Sequence, residues 1–315
     1  MRGSRQGESH GGVYLVDFDQ DRATRVLDWN TMNIDWQGRG WDRGLRGIAI
    51  DGDTVYLAAS DELFAYTSDF QLLGSWRNPY LKHCHEICRF ERSLFLTSTG
   101  FDSILGFDLD TKIFSFGLQL QIQGDGFAGQ SFDPEFAGGP QLSNALHLNN
   151  VHCETGGMHI SGLRTAGIVL FNGRELQRWA TLPSGAHNAR PFRGGVIFND
   201  TEADVVRVVG RDSANERVLP VPRFAEAHLE HVSSVDGALA RQAFARGLCV
   251  INDDLIACGS SPSTITLHHL GGGTPARMAT LSHDVRNAIH GLALWPFGWQ
   301  ASYENLPASL QPLPV

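Results

Sequence analysis

The sequence predicts an all-β fold, a six-bladed β-propeller closed by strands from both chain ends, and three observations predict it. Short β-rich runs come in pairs whose second run begins nine residues after the first; the pairs recur down the whole chain; and no series of amphipathic helices separates them. A TIM barrel or a doubly wound sheet would need five to eight such helices.

The pairs are Arg46-Gly-Ile-Ala-Ile with Val55-Tyr-Leu, His85-Glu-Ile-Cys-Arg with Leu94-Phe-Leu, His187-Asn-Ala-Arg-Pro with Val196-Ile-Phe, and Arg246-Gly-Leu-Cys-Val with Leu255-Ile-Ala. The same spacing sets Asn149-Asn-Val-His-Cys before Met158-His-Ile, and a last copy opens at His290-Gly-Leu-Ala-Leu. Unit starts are separated by 39, 64, 38, 59 and 44 residues. Further strand-like pieces follow, such as Glu62-Leu-Phe-Ala-Tyr and Gln71-Leu-Leu-Gly-Ser-Trp in the first unit, joined by Asp, Asn, Gly and Ser turns. A four-stranded unit has two faces to bury and is stable only between neighbours, which is the logic of a propeller blade.

The two long intervals are explained by insertions: Gly-rich Gly124 to Pro140, and Phe224 to Phe244, whose Ala, Glu, Leu and His content predicts a helix. The last unit keeps only its first strand or two, and Val13-Tyr-Leu-Val-Asp-Phe with Thr24-Arg-Val-Leu-Asp-Trp supply the rest. Closure from both ends removes two exposed edges. One domain over 12–304 is expected, with 1–11 and 305–315 as flexible tails; five or seven blades are the alternatives, because the Gly-rich insertion is long enough to hide a degenerate unit.

Composition narrows the partner. Lys+Arg 25 against Asp+Glu 34 gives a net charge of −9 without a basic run, which argues against a nucleic-acid surface. No apolar stretch approaches the roughly 20 residues of a spanning helix, and the N-terminus has no apolar core of a leader, so no membrane is expected. The five cysteines form no C-x-x-C pair and read as reduced cytoplasmic thiols. A small molecule remains as the expected partner.

In a propeller the first strand of each blade lines the central channel. The opening position of the six units reads Arg46, His85, Asn149, His187, Arg246 and His290, with His83 and His147 two residues before two of them. Packing does not select such a ring. Positions one and three further on are mostly small (Gly47, Ala49, Gly247, Gly291, Ala293), so the inner strands should lie close together, with Cys88 and Cys249 as small buried hydrophobes. Glu86, by alternation, points away from His85.

Imidazoles on rigid strands make a ready metal site. His85, His187 and His290 fall in alternate units and are expected to hold a divalent transition metal (Zn, Mn, Fe, Ni or Cu), with positions left open for substrate. Arg46 and Arg246 would bind a carboxylate, phosphate or developing oxyanion, Asn149 would be a ligand or a substrate contact, and His83 or His147 would serve as general base. His152, His159, His228, His231, His268, His269 and His283 fall elsewhere and read as structural or surface residues. No Gly-x-Ser-x-Gly elbow occurs, and the Gly-rich stretches lack the Lys-Ser/Thr of a phosphate loop.

Three blocks carry a resemblance. His147-Leu-Asn149, Ala186-His187-Asn-Ala-Arg190-Pro191 and Phe244-Ala-Arg246-Gly-Leu248 resemble, in order and over about half the chain, the His-Leu-Asn, Pro-His-Ser-Pro-Arg and Arg-Gly-Leu blocks of a group of uncharacterised bacterial propeller proteins; the chain departs from them at Ala186 and at Asn188-Ala189. The resemblance implies a propeller with its shared site at this channel end and brings no activity. The order Arg46, His85, His187, Arg246, His290 is also similar, by analogy of sites alone, to the three zinc-binding His and flanking Arg of the peptidyl-hydroxyglycine amidating lyases, which use a Tyr where this chain has Asn149. The function expected is a metal-dependent enzyme of lyase or hydrolase type acting on a small anionic molecule. An Fe- or Cu-dependent oxygen-using enzyme and a non-catalytic ligand- or protein-binding propeller are the alternatives, the last placing its contacts on the two insertions.

Overall fold

The computed structural model describes residues 11–29, 44–210, 216–232, 240–272, 275–300 and 303. Period-two sequences become antiparallel meanders. Blade 1 is β3 (Ile48–Asp51), β4 (Thr54–Ala59), β5 (Glu62–Thr67) and β6 (Leu72–Arg77); blade 2 is β7 (Ile87–Phe90), β8 (Ser93–Ser98), β9 (Ser103–Asp108), β10 (Phe114–Gln123) and β11 (Gly126–Phe132). Blade 3 comprises β12 (Leu148–Glu154), β13 (Gly157–Gly162), β14 (Gly167–Phe171) and β15 (Leu176–Thr181); blade 4, β16 (Ala186–Phe192), β17 (Gly195–Asp200), β18 (Val205–Val209) and β19 (Arg217–Pro220). Blade 5 comprises β20 (Phe244–Val250), β21 (Leu255–Ser261), β22 (Thr264–His269) and β23 (Pro275–Thr280). Two further strands, β1 (Gly12–Asp17) and β2 (Arg22–Asp28), pair only with each other among the described residues.

The propeller therefore carries five blades and not the expected six. The N-terminal runs form a two-stranded ribbon that no C-terminal strand joins among the described residues, and 287–300 takes no strand. The ribbon nonetheless fills the gap between blades 5 and 1. Alternation explains how: Val55 and Leu57 on one face of β4 pack with Leu15 and Val26 of the ribbon, whereas Tyr56 and Ala58 on the other face pack with Leu94, Leu96 and Phe107 of blade 2. On the far side, Tyr14 and Val16 pack on Ala257 and Ile265 of blade 5, and Arg277 pairs with Asp21. Each such buried aliphatic side chain contributes about 1.5–3 kcal/mol.

The insertions resolve differently from each other. Gly124 to Pro140 opens as the tight turn of a hairpin, with Gly124 at φ 56 between β10 and β11, and adds a fifth strand to blade 2. It hides no further blade. Over Phe224 to Phe244 the described residues contain one 3-10 turn, Glu226–His228, in place of the expected helix, and residues 233–239 lie outside the described part. The expected tails, except Gly11, lie outside it as well. No helix among the described residues is long and apolar enough to cross a membrane.

First strands adjoin around the centre in the order β3, β7, β12, β16, β20. Small residues permit the approach, as expected: a Cβ on Gly47 would lie 2.6 Å from the Ile87 nitrogen, and one on Gly291 would lie 2.2 Å from the Arg46 oxygen. A Cβ on Gly247 would lie 3.2 Å from the His290 oxygen, so the strandless 290–291 segment runs between β20 and the entry to β3.

Candidate functional site

Two residues before three of the ring positions the backbone is turned left-handed, and this aims the site. His83, His147 and Gly185 have φ of 55, 54 and 79, each two residues before a ring position. The turn swings the His83 carbonyl onto the His85 ring, where Nδ1 donates to it at 2.8 Å and to the Thr99 hydroxyl at 2.9 Å. The Gly185 carbonyl accepts from Nδ1 of His187 at 3.0 Å in the same way. His147 differs in partner but not in outcome, since its Nδ1 donates to Oδ1 of Asn144 at 2.9 Å. Carbonyl oxygens only accept, so all three imidazoles carry a proton on Nδ1, and His85 and His147, held below the usual imidazole range, present Nε2 as a lone pair.

Electrostatics shows that these groups converge. Burial, and then the charges of Arg46 and Arg246 with further contributions from His147 and His187, hold His85 well below the usual imidazole range. Burial and then Arg164 and Arg246 bring His147 down to about 4, against an opposing pull from Asp102. The His85 and His147 rings stand 5.3 Å apart, edge to face. Blades 1 to 5 thus each place a group at one channel end. Arg246, 6% exposed, lies over the Phe244 ring, which also packs near His187. Asn149, 2% exposed, donates to the Ala186 carbonyl at 3.0 Å while its Oδ1 is buried without a hydrogen-bond partner. His290 and Arg46 line one side of a cavity of about 670 Å³ between the ribbon and blades 5 and 1.

His85 thus lies near Arg46, Arg246, His147 and His187, whereas His290 shares with Arg46 the cavity beside the ribbon, and the donor atoms of His85, His187 and His290 do not lie within 4.8 Å of one another. Among the described residues the trio of potential ligands that does is Glu230, His231 and Asp284, on the insertion and its neighbour. There Asp284 is already held by the Arg286 guanidinium, Nε to Oδ1 at 3.0 Å and Nη2 to Oδ2 at 2.8 Å. His83 serves through its main chain: its carbonyl orients His85 and its amide donates to Asp61 at 3.3 Å.

Glu86 corrects the alternation argument. Its Oε2 accepts from Asn188 of blade 4 at 2.9 Å, a bond from blade 2 across the centre, and Asn199 in turn donates to Asn188 at 2.9 Å. Alternation fails because β7 begins only at Ile87, so Glu86 is not yet in a strand, and Asn188 sits at φ 52 in a bulge of β16. Burial pushes the Glu86 carboxyl up to about 8. Sequence reasoning also missed Thr99 and the turn aspartates Asp61 and Asp102. A signal for the aspartates was present, since both stand just before a third-strand run, Asp61-Glu-Leu-Phe and Asp102-Ser-Ile-Leu.

No family model and no curated protein matches the chain. Among solved structures it is similar to the RRP9 WD40 repeats at 12% identity and TM-score 0.46, over 77% of this chain and 65% of that one, just under two thirds of its length. Virginiamycin B lyase from Staphylococcus aureus is similar at 9% identity and TM-score 0.43, over 74% and 72%. Apo AztD from Citrobacter koseri is similar at 12% identity and TM-score 0.43, over 76% and 74%. At these values none of the likenesses bears on what the chain does.

Proposed function

We propose that the chain is a metal-dependent enzyme of lyase or hydrolase type that acts on a small anionic molecule at the His85 end of the channel. The observation that carries the reading is the matched anchoring of His85 and His187: each Nδ1 is tied to the carbonyl two residues earlier, so the ring orientation is fixed and Nε2 is the nitrogen left to ligate. That is how ligating histidines are usually oriented. His85 and His187 would hold the ion and His290 would complete the set. Zinc–nitrogen bonds of about 2.0–2.1 Å require donors closer than those of the three histidines stand, so His290, on a segment without strand structure, would have to move inward to join His85 and His187.

Bound Zn or Mn supplies Lewis-acid polarisation or an activated water, and Fe or Cu would shift the chemistry towards oxygen. The chain's own residues do the rest. Arg46 and Arg246 beside a dication repel it unless an anion lies between them, and so select an anionic substrate. His147, held neutral, takes up a proton at Nε2, and Oδ1 of Asn149 accepts a hydrogen bond from the substrate.

A second reading, a non-catalytic propeller that binds an anion, is favoured by the separation of the three histidine donors. One experiment decides. Untagged protein is titrated with Zn, Mn, Fe(II) and Cu(II) by calorimetry and elemental analysis, beside His85→Ala and His187→Ala variants whose fold is checked by circular dichroism. Near-stoichiometric metal that both variants lose supports the enzyme. No metal, with inorganic phosphate bound and lost in Arg246→Gln, supports the anion-binding propeller and overturns the first reading.

A further inference from the structure

About three residues, or 10 Å, further along the inner strands from the imidazoles, a second group of reactive side chains gathers where blades 2 and 3 meet. Cys88 on β7 and Cys153 on β12 come from adjacent blades. The Cys153 amide donates to Sγ of Cys88 at 3.3 Å, and the two cysteines pack in one cluster where blades 2 and 3 meet, with the His152 ring interacting electrostatically with the Cys88 sulfur. The Arg190 guanidinium of β16 interacts with the same sulfur. No disulfide joins the pair.

We propose that Cys88 and Cys153 form an oxidisable dithiol, a modification site that reacts with a small peroxide. Cys88 is the attacking sulfur and Cys153 the resolving one. The Cys88 thiolate attacks one oxygen of the peroxide; the S–O bond forms, the O–O bond breaks, and hydroxide leaves. The Cys153 sulfur then displaces hydroxide from the Cys88 sulfenic acid, forming the S–S bond. The Cys153 thiol proton ends in water, so two thiols and one hydrogen peroxide give one disulfide and two waters.

The other cysteines lack this environment. The pairing with Cys153, whose amide donates to its sulfur, and the nearby His152 pull the Cys88 thiol below its ordinary value in spite of burial, while Cys153 is pushed up by the same pairing. Burial pushes Cys84 up to about 12 and raises Cys249 and Cys258. Cys88 is also partly exposed, whereas Cys84 and Cys258, like Cys153, are buried. A low, accessible thiolate with a partner thiol in contact is the arrangement that oxidises selectively. The disulfide would tie the inner strands of blades 2 and 3 together.

The test is hydrogen peroxide at a few equivalents on the reduced full chain, with differential alkylation before and after reduction and peptide mapping. The expected result is a fall from five free thiols to three, with Cys88 and Cys153 as the reducible pair. Cys153→Ser should stop at a Cys88 sulfenic acid captured by dimedone, Cys88→Ser should give no adduct, and Arg190→Gln should slow the reaction about threefold or more. Survival of all five thiols, or oxidation of Cys249 or Cys84 ahead of Cys88, overturns the proposal. Mapping of the unmodified chain decides this even if a variant fails to fold.

Discussion

The carboxylate of Asp102, at the turn before β9, accepts the backbone N–H of His147 at 2.9 Å across 45 residues of sequence. It also accepts from the amides of Ala145 and Leu146 and from the Ser143 hydroxyl, so one buried side chain shapes the whole entry to blade 3. Asp61 holds the amide of His83 ahead of blade 2 from the corresponding turn. The imidazole end of the channel is thus set by carboxylates that do not touch it.

Replacing Asp102 should show this. Asp102→Ala leaves three amides and a hydroxyl without their acceptor; the buried Leu146 amide alone costs about 1–3 kcal/mol, and the less buried Ser143, Ala145 and His147 donors add smaller amounts. A loss of about 3 kcal/mol or more is expected in urea unfolding, together with loss of ligand at the channel. Asp102→Asn, which keeps one acceptor oxygen, should fall between.

Thr99 tests the orientation of His85 more gently. Thr99→Val keeps the shape but removes the oxygen that shares Nδ1–H of His85 with the His83 carbonyl. Metal affinity should fall about tenfold or more, and stability by only about 1 kcal/mol. Nitrogen-15 spectra of the unmodified chain should show His85, His147 and His187 as Nδ1–H tautomers at neutral pH.

Glu86 gives the protein a pH dependence whose direction is fixed. Its carboxyl is raised to about 8 in the folded chain, whereas an unfolded one titrates near the ordinary carboxylate value of about 4.3. Between those values the folded state holds the extra proton, so Glu86 makes stability fall as pH rises through the window and level off above it. Urea midpoints at pH 5 and pH 8.5 should differ less in Glu86→Gln than in the unmodified chain.

Close approach of the inner strands predicts the effect of one methyl group. In Gly47→Ala the new carbon meets the Ile87 nitrogen at 2.6 Å, and backbone cannot yield as a flexible side chain does. A loss of about 1–3 kcal/mol is expected in thermal or urea unfolding. Gly52→Ala meets nothing within 4 Å, although its φ of 53 adds a smaller strain, and is the control.

The repeat was legible because blade packing imposes local rules. Val55 and Leu57 must face one neighbour and Tyr56 and Ala58 the other, which writes period two into the chain, and Gly47, Gly247 and Gly291 must be small where inner strands meet. The ring Arg46, His85, Asn149, His187, Arg246, His290 could be read for the same reason, as the opening position of each repeat. What the sequence did not contain was anything set by contacts between distant segments. The number of blades depended on whether 287–300 and the N-terminal runs would hydrogen-bond to each other, and among the described residues the two runs form a ladder only with one another. The inward turn of Glu86 depended on a strand that starts one residue late and on Asn188 from two blades away. Thr99 and Asp102 became part of the site, and Cys88 met Cys153, only once the sheets were stacked, because hydrogen bonds across tens of residues leave no periodic trace in the chain that makes them.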